Sequence, residues 1–270
     1  RVGHRRILHQ FLIQLVDYST RAGRWGEGLV EIEAEEEAEA LAPVFVSWLA
    51  GQRAILAAYR GDIQLADAEA VKMHEWAASL DSSSVAAALL LIDSTLAFFR
   101  GDWSGTIAQA RIPSADSNYA TDALAIWAHA AVAGDRADDL REAIGRLRTA
   151  PTQDRLSGAA LDAAQGGLAA REGRWDEARS HYRRSLDGLR QIGYRLEEAI
   201  TALEWGMLAG SVDPDADAAA TAGEAFFVER EAGITVDRYR AAFVPVDATP
   251  PSGTGAAAPA TASKTGAPTT

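Results

Sequence analysis

The chain has 270 residues, 48% of them hydrophobic but only 7% aromatic, with 26 Lys and Arg against 38 Asp and Glu for a formal net charge of −12. That acidic balance argues against a nucleic-acid partner, because grip on a phosphate backbone comes from Lys and Arg neutralising phosphates. With no cysteine there is no disulfide framework, no thiolate metal ligand and no cysteine nucleophile.

From Arg1 to Val16 basic residues precede an apolar stretch, but Gln14 interrupts it and no small-residue cleavage site follows, so no signal peptide is read. No run of 18 apolar residues exists anywhere, so no membrane span is expected, and the location is taken as cytoplasmic. The chain opens on Arg1 rather than Met and is expected to be a piece of a longer protein. Arg carries nearly all the positive charge, since Lys72 and Lys264 are the only lysines. Together with abundant Ala and Gly, this fits a GC-rich bacterial coding sequence.

Apolar residues at helical spacing predict a first helix from Arg5 to Ala22 through Ile7, Leu8, Phe11, Leu12, Leu15 and Val16. A second carries Leu29 and Ile32 and then the acidic run Glu31 to Glu39, read as a solvated helix face. Pro43, tolerated in a first turn, opens a helix through Tyr59, and its partner covers Ile63 to Leu80. Asp81 and Ser82 to Ser84 are N-cap candidates for an apolar helix from Val85 to Phe99. Trp103 to Ala110 makes two turns before Pro113 ends it, and helices over Ser117–Ala133 and Ala137–Leu147 follow. The longest pair is Gln153–Arg171 with Trp175–Ile192, then Tyr194–Ala209. Asp213-Pro214, an N-cap with proline at the first helical position, starts a last helix to Ala232. From Val246 the composition becomes Ala, Pro, Thr, Gly and Ser, which buries too little apolar surface to order. Residues 246–270 are therefore expected to be a disordered tail to a helical domain over 1–245.

One stretch repeats. Arg171-Glu172-Gly173-Arg174-Trp175 has variants around Gly23, Gly61, Gly101 and Gly134, at spacings of 38, 40, 33 and 39 residues. A helix–turn–helix unit recurring at that interval predicts an α-solenoid, in which each unit packs only on its neighbours. Two residues beyond the turn stand Trp25, Ile63, Trp103, Arg136 and Trp175. Seven before it stand Val16, Ala54, Ser94, Trp127 and Gly166, and five after it Gly28, Ala66, Thr106, Asp139 and Ala178. The three tryptophans in one register are expected to be buried repeat packing rather than a nucleobase platform.

This pattern resembles the tetratricopeptide repeat (TPR), in which small residues let paired helices cross closely and an aromatic fills the wedge beside them. Gly166, Ala178, Tyr182 and Ser185 carry the resemblance best, which extends over about residues 5 to 232. The repeats are also similar in style to those downstream of the ATPase module in maltose-regulator-like transcriptional activators and in proteins joining a cyclase domain to an ATPase. The resemblance implies an all-α, right-handed solenoid of about six antiparallel helix pairs, and a sensing role. A protein or peptide partner would lie on a concave face lined by the first helix of each pair. The alternatives are a structural, self-associating module and the sensor region of an activator.

No chemistry competes with that reading. Neither lysine follows a glycine-rich phosphate loop, so no nucleotide site is expected. Asp213, Asp215, Asp217 and Glu224 sit at calcium-loop positions, but Ala218 replaces the glycine such a loop needs, and a helix start explains them better. The five histidines are scattered and no carboxylate pair stands out as acid and base, so no cofactor, metal or catalytic residue is assigned. The residues singled out are the repeat positions Gly23, Trp25, Gly61, Ala66, Gly101, Trp103, Gly134, Gly166, Gly173, Trp175, Ala178 and Tyr182.

Overall fold

The computed structural model describes residues 2–27, 30, 43–80, 83–112, 117–150, 154–210 and 212–243. Among the described residues there are twelve helices and no strand. They are α1 (Val2–Arg21), α2 (Pro43–Arg60), α3 (Ile63–Ala77), α4 (Ser83–Phe99), α5 (Trp103–Ala110) and α6 (Ser117–Ala133). The chain continues through α7 (Ala137–Arg148), α8 (Arg155–Arg171), α9 (Trp175–Ile192), α10 (Arg195–Ala209), α11 (Pro214–Val228) and α12 (Gly233–Ala242). The acidic run, Asp81, Ser82 and the tail lie outside the described residues, whereas Ser83 and Ser84, expected as caps, are the first two residues of α4.

Four of the first helices, α1, α2, α4 and α8, end the same way. At Gly23, Gly61, Gly101 and Gly173 the backbone takes φ of 75°, 82°, 76° and 75°. The next residue donates back five positions, as Arg24 N–H does to Ser19 O at 2.8 Å and Arg174 N–H to Ala169 O at 2.9 Å. These paired back-bonds satisfy carbonyls a helix end leaves open. Only one residue then separates the turn from the following helix, and Asp62 and Asp102 cap two of those starts through Leu65 N–H and Gly105 N–H.

The fourth turn differs from the sequence reading. The left-handed residue is Asp135 (φ 53°) rather than Gly134, which shifts that unit's register by one. Asp tolerates this conformation better than most side chains, so the glycine landmark misled. A further turn of this kind, with Glu231 at φ 57°, joins α11 to α12, a helix absent from the sequence reading.

The helices pack in adjacent pairs, α2 with α3 through α10 with α11. Small residues set the closest approaches. A Cβ on Gly166 would stand 2.9 Å from the Tyr182 ring, and Ala66 and Ala178 are buried at their crossings. First helices also pack on one another in sequence order, α1 on α2, α2 on α4, and on to α10.

The row then returns on itself. α1 packs on α10, and α12 packs on α2 as well as on α10 and α11. This corrects the expectation of contacts between neighbouring units alone. The return is aromatic: Trp25 stacks on Tyr59 at 5.2 Å, Tyr59 meets Phe99 at 4.1 Å, and Phe98 meets both Phe99 and Tyr239, at 5.1 and 5.8 Å. Trp25 also abuts Phe226 edge-on at 6.0 Å. One core cluster therefore runs from Trp25 to Tyr239.

The shared register of the tryptophans does not give them a shared environment. Trp25 is 2% exposed and its indole N–H donates to Thr20 O at 3.0 Å, Trp103 is half-buried, and Trp175 is 38% exposed. Trp175 is thus not core, because its turn lies away from the aromatic seam. Trp25→Ala is expected to cost about 3–5 kcal/mol and Trp175→Ala only about 1 kcal/mol. Equal losses in urea unfolding would contradict the seam.

A second pair of substitutions probes the crossings. A Cβ on Gly206 would meet Ala220 Cβ at 2.1 Å and Ala216 O at 3.0 Å, whereas one on Gly145 meets nothing within 4 Å. Gly206→Ala is expected to destabilise by about 1–3 kcal/mol through overpacking. Gly145→Ala, in the exposed middle of α7, should stabilise by up to about 1 kcal/mol.

Candidate functional site

Three groups of polar side chains stand where the first helices converge. The first centres on Arg21, in the last turn of α1. Its Nε donates to Asp17 Oδ2 at 3.0 Å, and its Nη1 donates to Asp122 Oδ1 of α6 at 3.0 Å and to Glu197 Oε1 of α10 at 2.8 Å. The guanidinium lies 5.0 Å from the centre of the Tyr194 ring, a cation–π contact. One arginine thus ties the start of the chain to residues 101 and 176 positions away.

Charge in this hub is unbalanced, three carboxylates against one cation. Burial opposes the charge on Arg21, but the carboxylates outweigh it and keep the guanidinium protonated. Burial raises Asp122 and pushes Glu197 up to about 7, in both cases against the pull of Arg21. Glu197 Oε2 is buried without a hydrogen-bond partner among the described residues. The hub is not sealed: Asp17 keeps 41% of its side-chain exposure.

The second group centres on Glu204 of α10, which is fully buried. Its Oε1 accepts from Tyr182 Oη at 2.7 Å and its Oε2 pairs with His129 Nδ1 at 2.8 Å, joining α6, α9 and α10. Burial, and then the Glu204 charge, holds Tyr182 and Tyr239 well above the usual phenol range. With Glu204 and Tyr182 closed in the core, this trio locks three helices together.

The third group lies at the C-terminal ends of the first helices. Thr235 Oγ1 donates to Tyr59 O at 3.0 Å, Arg238 donates to Phe99 O, Arg171 to Val132 O, and Arg230 Nε to Gly23 O at 2.8 Å. Guanidinium and hydroxyl donors thus meet carbonyls at the negative ends of helix dipoles. Beside this seat a groove of about 470 Å³ is lined by Arg24, Trp25, Glu27, Arg60, Glu229 and Arg230 among others.

Of the residues singled out from sequence, Gly23, Trp25 and Gly61 fall at this seam, and Tyr182 reaches Glu204. Gly101, Gly134 and Gly173 lie in turns, Ala66, Gly166 and Ala178 at helix crossings, and Trp103 and Trp175 at the first positions of α5 and α9. Sequence reasoning missed Arg21, Asp122, Glu197, His129, Glu204, Arg238 and Tyr239. Only the Asp17–Arg21 pair, four apart on one helix, had a local signal.

The side chains of His4 and His9 lie outside the described residues, and the other remaining candidates resolve into ion pairs. His74 pairs with Asp93 at 2.9 Å and His181 with Asp162 at 2.7 Å. Asp213 caps α11 through Asp215 N–H and accepts from Arg179 at 2.8 Å, while Asp215 pairs with Arg183. The calcium-template positions are therefore a helix start. Among the described residues no three His, Asp or Glu side chains group to hold a metal ion, and no helix is long and apolar enough to cross a membrane. No protein-family model, curated protein or solved structure matches the chain.

Glu197 gives the hub a pH signature. Its proton is held more tightly in the fold than in the unfolded chain, between the ordinary value of 4.5 and about 7. The stability it contributes is therefore full below the ordinary value and lost as pH rises through about 7. The melting temperature of Glu197→Gln relative to wild type is expected to rise between about pH 5 and about pH 8. Parallel profiles would remove the buried carboxylate from the account.

Proposed function

We propose that this chain is a TPR-like, protein- or peptide-binding repeat region, the sensing part of a multidomain bacterial signalling regulator with ATPase or cyclase chemistry elsewhere. We read it as a right-handed solenoid of antiparallel pairs. The recurring turn supports that reading, since two or three residues between tightly packed helices leave room for little but reversal. It acts by binding rather than catalysis, and the described histidines already paired with carboxylates favour this. The observation that carries the reading is the Arg21 hub. It is net negative, held by helices from both ends of the row, and partly open to solvent on the first-helix side. A partner segment with a cationic side chain suits it, and the chain's net charge of −12 disfavours nucleic acid.

Peptide selection from a random display library on the full chain tests this. Enriched peptides are expected to carry Arg or Lys, and to lose at least about ten-fold in affinity against Asp17→Arg but not against Arg148→Glu on α7. Loss to both substitutions equally, or no enrichment, would sink it. The regulator reading also expects coding sequence for a P-loop or cyclase module upstream of the Arg1 codon.

A second reading, self-association, is favoured by one observation. Phe11, Leu15 and Tyr18 of α1 are 65%, 45% and 47% exposed at spacings that place them on one helix face. Under this reading sedimentation shows a dimer that Leu15→Asp dissociates. A monomer at all accessible concentrations would eliminate it.

A further inference from the structure

α12 differs from the other helices in what holds it. It is 10 residues long, starts at Gly233, has no side-chain N-cap bond, and follows a turn that puts Glu231 at φ 57°. A helix of that length is marginal by itself, and a non-glycine left-handed residue stores backbone strain. Among the described residues it has no partner helix of its own, and it packs on α2, α10 and α11.

Its seat, by contrast, is built by other elements. Tyr59 O and Phe99 O are last-turn carbonyls of α2 and α4, and Phe98 faces Tyr239. α2, α4, α6, α8 and α10 pack on one another in a row, and α1 closes that row on α10. None of these contacts passes through α12.

The fit is also incomplete at its centre. Tyr239 is 1% exposed, yet its hydroxyl has no hydrogen-bond partner among the described residues. Burying a hydroxyl without a partner costs free energy, so a phenyl ring at that position would fill the seat at lower cost.

We propose that α12 is an internal ligand: the seat formed by the ends of α2 and α4 and by α10 is a docking groove for an amphipathic helix supplied in trans. That helix carries a hydroxyl, a guanidinium and an aromatic ring at the spacing of Thr235, Arg238 and Tyr239, three and then one residue apart. The guanidinium is selected because helix C-terminal carbonyls carry negative partial charge, and the ring is selected by Phe98. Partner binding then requires α12 to leave, and the turn at Glu231 is the hinge about which it leaves. The proposal rests on the peptide-binding reading and names both the partner and the obstacle to it.

A fluorescein-labelled peptide of the sequence from Glu231 to Phe243, titrated into the full chain, tests it by anisotropy. Wild type is expected to bind at least about ten-fold more weakly than Arg238→Glu/Tyr239→Ala, whose own α12 is unseated. Carrying Tyr239→Phe in the peptide should strengthen binding, and carrying Arg238→Glu should abolish it. A variant with wild-type circular dichroism that binds no better than wild type overturns the proposal. Hydrogen exchange on wild type covers a variant that does not fold. Amides of α12 should exchange faster than those of α2 and α4, and faster still with excess Tyr239→Phe peptide; equal protection overturns the proposal. Failure here leaves the display selection at the Arg21 hub to decide the scaffold reading by itself.

Discussion

The structure depends on how each first helix is stopped. A left-handed residue at the C-terminal end closes two back-bonds, and the next helix starts after one intervening residue. Because that stop recurs at Gly23, Gly61, Gly101, Asp135 and Gly173, the first helices end in equivalent places and present their last carbonyls together. Those carbonyls are negative and short of donors. The cationic and hydroxyl side chains that meet them come mostly from the far end of the sequence: Arg230, Thr235 and Arg238. Glycine serves twice at the seam. At Gly23 and Gly61 it supplies the positive φ, and it admits Phe226 and Ile234 to 2.6 and 2.5 Å from where a Cβ would stand. The local stop thus sets up the long-range closure.

Closure brings buried charge with it. Arg21 is flanked by three carboxylates and Glu204 sits among aromatic rings, so neither is the cheapest way to fill a core. What such groups add is geometry. The Arg21 bonds to Asp122 and Glu197 fix the register of α1 on α6 and α10, where an apolar contact would permit sliding. Glu204, accepting from Tyr182 and paired with His129, does the same for α6, α9 and α10. The Glu204 network is satisfied at both carboxylate oxygens, and satisfied networks rigidify what they join. α12 lacks one, since its buried Tyr239 hydroxyl finds no partner among the described residues.

Much of the fold was legible because its determinants are local. Helical spacing and capping located α5, α6 and α9 with the limits observed, and Asp213-Pro214 marked the start of α11. The errors have local causes too. Asp135 took the left-handed position a glycine was expected to hold, and α12 begins Gly-Ile-Thr-Val, a poor helix start whose stability comes from its seat. Trp175 matches Trp25 in register but not in burial, because burial depends on what returns to cover the turn. Nothing in the sequence pairs Arg21 with Asp122 and Glu197, or Tyr239 with Phe98. Such contacts are set by the closing of the row, which no single-sequence periodicity encodes.

A groove filled by its own chain changes what affinity means for this protein. A ligand that needs an open seat binds with its intrinsic affinity divided by the fraction of molecules whose seat is open. Each ~1.4 kcal/mol by which α12 favours its docked position weakens apparent binding about ten-fold. The features that make α12 a poor occupant, its length, its uncapped start, the strained turn before it and the orphaned hydroxyl, all lower that toll. The Arg21 hub acts in the opposite direction, holding α1 on α10 so that the seat keeps its shape when α12 departs. On the proposed reading, a firmly latched row with a loosely held occupant combines two needs of a sensor. It is pre-organised for its partner, and it stays closed until that partner is present.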